Sequence, residues 1–238
     1  MNELLERAVA AHGGLDRWNE IQSVTLDAAI TGAVWSVKGQ ADPLRQVRVE
    51  VDTRRQLLTM EHVGHDRVSV FEPHRVVVQS RDGQVVGVRD DPERSFEGHR
   101  FETPWDDLHL AYFVGEALWT YLNTPFLYTR PGFVTDEITP IEVRGETWRR
   151  LEVTFPEDIK SHTRTQIFCF GPDGLLRRHD FTIDVIAGAP GELYATDYRD
   201  IDGIIVPTKR RAYASQGDDA PESSPLMVAI DMGEITIQ

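Results

Sequence analysis

Leu4, Leu5, Ala8, Val9 and His12 fall at the i, i+1, i+4, i+5, i+8 spacing of a single helical stripe, which predicts an N-terminal helix. Gly13-Gly14 ends it, because glycine readily takes the left-handed conformation of a C-terminal cap. Leu15, Trp18 and Ile21 then recur at intervals of three and predict a second short helical turn. From Val24 onward the period changes to two. Valine-rich runs at 24–31, 34–38, 46–52, 56–62, 68–72, 75–80 and 84–88, separated by turn pairs such as Asp82-Gly83, read as the strands of an antiparallel meander.

After a charged loop at 89–94 comes the strongest helix signal of the interior. Thr103-Pro104-Trp105-Asp106 offers a threonine cap, a proline at the first helical position and an acid at the third, and the helix is expected to run to about Leu122. A second block of strands follows at 148–155, 165–170, 175–184, 193–198, 204–214 and 226–237, with Gly171-Pro172-Asp173-Gly174 as a hairpin turn. The polar, turn-prone stretch 216–224 is expected to be a mobile loop. No internal repeat is apparent. The expectation is one α+β domain over 1–238, with about a dozen antiparallel strands, an N-terminal helix pair and one inserted helix.

This order of elements resembles the lipoprotein-carrier superfamily of the LolA/LolB type. The resemblance rests on Ala11-His12-Gly13-Gly14-Leu15-Asp16-Arg17-Trp18, on Phe170-Gly171-Pro172-Asp173-Gly174-Leu175, and on Asp197-Tyr198-Arg199-Asp200-Ile201-Asp202-Gly203-Ile204. It implies a curved antiparallel sheet forming an open half-barrel, an apolar ligand on the concave face, and helices acting as a lid. Carriers of that type are exported, whereas this sequence opens Met-Asn-Glu-Leu-Leu-Glu-Arg, without the basic start and apolar run of a secretory signal. A cytoplasmic branch of the fold is therefore the expectation.

The formal charge of −14, from 25 Lys+Arg against 39 Asp+Glu, argues against a nucleic-acid binder, which needs a basic face to displace counterions. The apolar stretch 108–122 carries His109 and Glu116 and is shorter than the roughly 20 residues of a membrane span, so none is expected. Cys169 is the single cysteine; its setting in Gln-Ile-Phe-Cys-Phe predicts an inert thiol inside a strand, compatible with a reducing compartment. Rossmann, P-loop, nucleophile-elbow and zinc-protease motifs are all missing, and nothing in the sequence calls for a cofactor. His62-Val63-Gly64-His65-Asp66 is the tightest histidine cluster, but H-x-x-H at the end of a strand is weak support for a metal and none is assigned.

Candidate chemistry concentrates on the inserted helix. Trp105, Leu108, His109, Tyr112, Phe113, Glu116 and Trp119 share one side, and Leu110, Ala111, Val114, Ala117, Leu118 and Tyr121 cover the other. Polar groups on so apolar a helix must find partners, because an unpaired buried charge costs several kcal/mol or loses its charge. His109 and Glu116 lie roughly 10 Å apart along the axis, too far to bond but able to line one cavity with Tyr112 between them. They are the acid–base candidates; alternatively each meets a strand residue, for example an arginine of the 177–178 or 210–211 pairs, and serves packing alone. Trp105, Phe113, Trp119 and His179 are the candidates for a ligand-binding wall. Three functions stay open: a binding protein for a small apolar molecule, a cofactor-independent lyase, isomerase or cyclase in the same cavity, and a structural or partner-binding domain with a filled core.

Overall fold

In a computed structural model the chain is described over residues 2–40, 44–214 and 225–238. The predicted loop at 216–224 lies outside these residues. Helices α1 (Glu3–Ala11) and α2 (Leu15–Trp18) lead into β1 (Ser23–Thr31), and a short α3 (Ala33–Val37) precedes β2 (Val47–Asp52) and β3 (Leu57–His62). Then come β4 (Val68–Glu72), β5 (Arg75–Gln79), β6 (Val85–Asp90), the long helix α4 (Asp107–Asn123) and β7 (Val134–Val143). The remaining strands are β8 (Glu146–Thr154), β9 (Thr165–Phe170), β10 (Leu176–Ile183), β11 (Ala189–Ile201), β12 (Ile204–Tyr213) and β13 (Leu226–Ile237).

Among the described residues thirteen strands form one antiparallel sheet in the order β6-β5-β4-β3-β2-β1-β13-β12-β11-β10-β9-β8-β7. Two meanders are thus joined at the middle, where β1 pairs with β13 from Val24–Ile237 to Thr31–Ala229. Strands β6 and β7 are the two free edges, yet they are consecutive in the chain. With strands about 4.8 Å apart, the connection between them must traverse the whole width of the sheet, and it does so over the concave face. The sheet does not close, so the architecture is the expected open half-barrel with helices on its inner side.

The strands obey the period read from the sequence. Along β2 the valines at 47, 49 and 51 are buried while Arg48 and Glu50 are exposed, and β1 alternates in the same way. Helix α4 packs against β3, β4 and β5, and α1 lies beside β8. Gly115 allows the close seat of α4: a Cβ there would stand 2.4 Å from Cβ and Cγ of Phe71 on β4.

Three expectations need correction. Residues 34–38, read as a strand, form α3, because Gly32 breaks β1 at φ 133° and Val34 and Trp35 both turn into the core. Strand β7 is an addition to the predicted set: it is polar and contains Pro140, which an edge strand tolerates where the pairing with β8 shifts between Ile138 and Ile141. The cap of α4 is Asp106 rather than Thr103, whose hydroxyl accepts from the amide of Arg100 at 2.9 Å.

Candidate functional site

The concave face encloses a cavity of about 360 Å³ between α4, α3 and strands β1 and β10–β13. Helix α4 contributes Phe113, Val114, Ala117, Leu118 and Tyr121, a stripe at i, i+1, i+4, i+5, i+8. Trp35 and Phe101 close one side; Phe181, Ile186 and Leu193 form the opposite wall, and Ala212, Val228 and Ile230 add the sheet floor. At the rim, Pro190 and Ala214 are exposed and Tyr213 and Met227 are partly so. The interior is therefore not completely filled.

Lys38 anchors the wall that carries Trp35 and Phe101. Its ammonium donates to the carbonyls of Phe101 at 2.6 Å and Arg100 at 3.2 Å, and lies 4.5 Å from the Trp105 ring. Burial pulls its pKa down to about 8. The residues after α3 are thereby tied to the segment leading into α4, which fixes the spacing of that side of the cavity.

Two of the polar side chains on the cavity wall, Tyr121 and His162, belong to a buried hydrogen-bond chain. The Tyr121 hydroxyl is 2.8 Å from His162 Nε2, and His162 Nδ1 is 2.8 Å from Glu116 Oε1. His162 sits in the loop between β8 and β9 and stacks on Phe181 with ring centroids 4.6 Å apart. Burial pushes the Glu116 carboxyl up, against the opposing pull of His162, and pushes the Tyr121 phenol up as well. The raised phenol keeps its proton, so Tyr121 acts as a hydrogen-bonding hydroxyl and not as a phenolate base. The backbone carbonyl of Tyr121 in turn accepts from the buried Arg210 guanidinium at 3.0 Å.

The structure separates residues that the sequence grouped. His109 lies at the start of α4 in a capping box: Asp106 Oδ1 accepts from the amides of Leu108 and His109 at 3.0 and 2.8 Å, while the amide of Asp106 donates to His109 Nδ1 at 3.2 Å. His109 Nε2 faces the carbonyl of Ser95 at 3.3 Å, so both ring nitrogens are occupied. Burial opposes the charge on Asp106, yet Arg89 and the His109 amide hold its carboxyl down at about 2. Tyr112 packs edge-on against Phe71 on the sheet side of α4, away from the cavity.

Glu116 does need a partner, as its burial demands, but that partner is His162 rather than an arginine. Arg178 pairs with Asp180 at 2.7 Å, and Arg210 serves the Tyr121 carbonyl. Of the four expected wall residues Phe113 lines the cavity. Trp105 packs on Phe113 from behind at 4.8 Å, and the Trp119 indole donates to the carbonyls of Asp52 and Arg55 at 2.8 Å each. His179 is buried behind the wall, 2.5 Å from Gln166 Oε1 and stacked on Phe168; desolvation drives its pKa well below the usual value. His62 meets Ser69 at 3.4 Å. Cys169 is buried, and desolvation with the nearby Asp180 raises its thiol to about 12, which makes it inert at neutral pH.

Sequence reasoning misses Tyr121 and His162 as site residues. Spacing alone puts Tyr121 on the helix side opposite Glu116. His162 lies in a polar loop with no periodicity, 46 residues beyond Glu116.

Fold and cavity together define an open antiparallel half-barrel with an apolar interior chamber, and the fold is LolA-like. A LolA superfamily protein from Nitrosomonas europaea superposes with a TM-score of 0.55 at 9% identity, over 99% of this chain and 92% of that one. A DUF1329 family protein from Desulfovibrio piger is 14% identical over 99% and 92% of the two chains, with a TM-score of 0.46. A putative outer membrane lipoprotein-sorting protein domain from Vibrio parahaemolyticus is 12% identical over 99% and 91%, again with a TM-score of 0.46. No family model and no curated protein sequence matches the chain. Identities this low speak to fold and not to function.

Proposed function

We propose that the protein binds a small hydrophobic molecule in the chamber under α4. The carrying observation is the cavity of about 360 Å³ walled by aliphatic and aromatic side chains. Its volume falls within the roughly 300–1,000 Å³ of small-molecule sites, which bury most of their ligand against apolar walls. Among the described residues no helix is long and apolar enough to cross a membrane. The LolA-like fold shared with the Nitrosomonas europaea protein is compatible with an apolar cargo. The free Cys169 suits a reducing compartment, and the cytoplasm is the proposed location.

A second reading, an acid–base step on a bound substrate, is favoured by the Tyr121–His162–Glu116 chain alone, and would rest on those residues instead of His109 and Tyr112. The binding reading is tested with N-phenyl-1-naphthylamine, a neutral dye that brightens in apolar surroundings. Wild-type protein is expected to bind it at one site, and Ala117→Phe, which fills the chamber from α4, to weaken binding at least tenfold while keeping its melting temperature within a few degrees. Absence of binding, or binding indifferent to Ala117→Phe, would overturn the reading.

A further inference from the structure

Three of the rings on the chamber wall form one stack. The His162 centroid lies 4.6 Å from that of Phe181 at an interplanar angle of 29°, and 5.1 Å from that of Phe113 at 31°. Phe113 comes from α4 and Phe181 from β10, so the loop imidazole is held between helix and sheet. Further rings stand at both ends, Trp105 at 4.8 Å from Phe113 and His179 at 4.6 Å from Phe181. Strand register sets Phe181 opposite Gly191 and Glu192 opposite Tyr213, which places the stack level with Ala214 at the rim.

The stack has little freedom to turn. His162 Nδ1 is bonded to Glu116 and Nε2 to Tyr121. Both bonds lie near the imidazole plane, so the ring cannot rotate its face toward the chamber without breaking them. Phe181 is seated against Gly191, where a Cβ would stand 2.9 Å from its Cε2, and Phe113 is wedged between His162 and Trp105. With their faces turned toward one another, the three rings present their rims to the chamber they line. An aromatic rim is the positive end of the ring quadrupole and the face its negative end. A wall of rims therefore attracts the face of a further ring, edge to face, more strongly than a saturated hydrocarbon of the same size.

Resting on the proposed binding function, we infer that the ligand carries an electron-rich aromatic ring and seats the face of that ring on the rims of Phe113, His162 and Phe181, at the level of the mouth. The ligand class is thus an aromatic hydrophobe and not an aliphatic chain. Aliphatic walls such as Ile30, Val228 and Ile230 take the rest of the molecule.

The experiment displaces N-phenyl-1-naphthylamine from the full chain with three alcohols that differ only in their ring: 3-phenyl-1-propanol, 3-cyclohexyl-1-propanol and 3-(pentafluorophenyl)-1-propanol. Each affinity is compared with the measured partition of the same compound from water into cyclohexane, which is the ranking an indifferent apolar wall would follow. Relative to that ranking, the phenyl compound is expected to bind about three- to tenfold more tightly than the cyclohexyl compound. The fluorines reverse the quadrupole, so the pentafluorophenyl compound is expected to lose this advantage. In Phe181→Leu the phenyl advantage is expected to fall by at least half while cyclohexyl binding persists. The comparisons among the three alcohols use wild-type protein, so the inference stands or falls even if that variant fails to fold.

Affinities of the phenyl and cyclohexyl compounds that follow partition alone would overturn the inference and leave the binding function intact. A pentafluorophenyl ring as favoured as phenyl would mark a flat slot in place of ring rims, and would overturn it as well. An unchanged phenyl advantage in folded Phe181→Leu would overturn the assignment to the stack. If none of the alcohols displaces the dye from wild-type protein, the binding function fails along with the inference.

Discussion

Replacing Gly115 with alanine tests the seat of α4 directly. A Cβ at this position would lie 2.4 Å from both Cβ and Cγ of Phe71, whereas carbon atoms in contact are most stable about 3.5–4.0 Å apart. Because one of the overlapping atoms is Phe71 Cβ, held by the backbone of β4, no rotamer of the ring relieves the overlap. The helix must withdraw by about 1 Å or the strand must yield. Overpacking of this kind costs about 1–3 kcal/mol, and the better helix propensity of alanine returns about 1 kcal/mol. A net loss of about 0–2 kcal/mol is expected, read as a urea midpoint no higher than that of wild type with an unchanged slope. The chamber lies on the opposite side of the helix, so withdrawal from β4 also moves Phe113 and Ala117 into it and weakens dye binding. A Gly115→Ala variant more stable than wild type by about 1 kcal/mol, the full gain in helix propensity, would refute the close helix–sheet contact and with it the assignment of the cavity-facing stripe.

Two further outcomes follow from groups outside the chamber. His109→Ala removes the acceptor of the Asp106 amide and the partner of the Ser95 carbonyl, so urea unfolding should register a loss of about 1 kcal/mol; dye affinity should stay within threefold, and a larger change would return His109 to the site. His12, at the end of α1, is bonded through Nδ1 to the Ala8 carbonyl at 2.8 Å, and burial lowers its pKa from 6.5 to about 4. Below pH 6.5 the unfolded chain takes up a proton that the folded chain refuses, so stability is complete above that pH and falls as the pH drops toward about 4. The ceiling of this loss is about 3 kcal/mol. Urea midpoints at pH 7 and pH 5 should differ less in His12→Gln than in wild type, and equal differences would exclude this source of acid sensitivity.

Most strands were legible because one face of each is buried, so that Val47, Val49 and Val51 alternate with charged residues in the sequence as they do in space. Strand β7 leaves no such pattern because an edge strand has little to bury, and α3 leaves none because five residues are too few to express a helical period against β-branched valines. The same physics limited the site. A buried carboxylate announces that it needs a partner, which singles out Glu116, but the partner is a loop histidine whose position depends on the registers of β8 and β9.

The orientation of α4 is not written in its own residues. Fourteen of its seventeen residues, Leu110 to Asn123, are buried, so no polar face marks which side looks outward, and dividing the helix by spacing alone places Tyr121 opposite Glu116. Two tertiary facts resolve what the helix cannot. The connection from β6 to β7 must cross the concave face because those strands are the two edges of the sheet, and Gly115 presents the bare side of the helix to Phe71. Once that side is pressed on β4, the stripe from Phe113 to Tyr121 faces the chamber. A residue with no side chain, which carries no hydrophobic signal, therefore decides which residues form the wall.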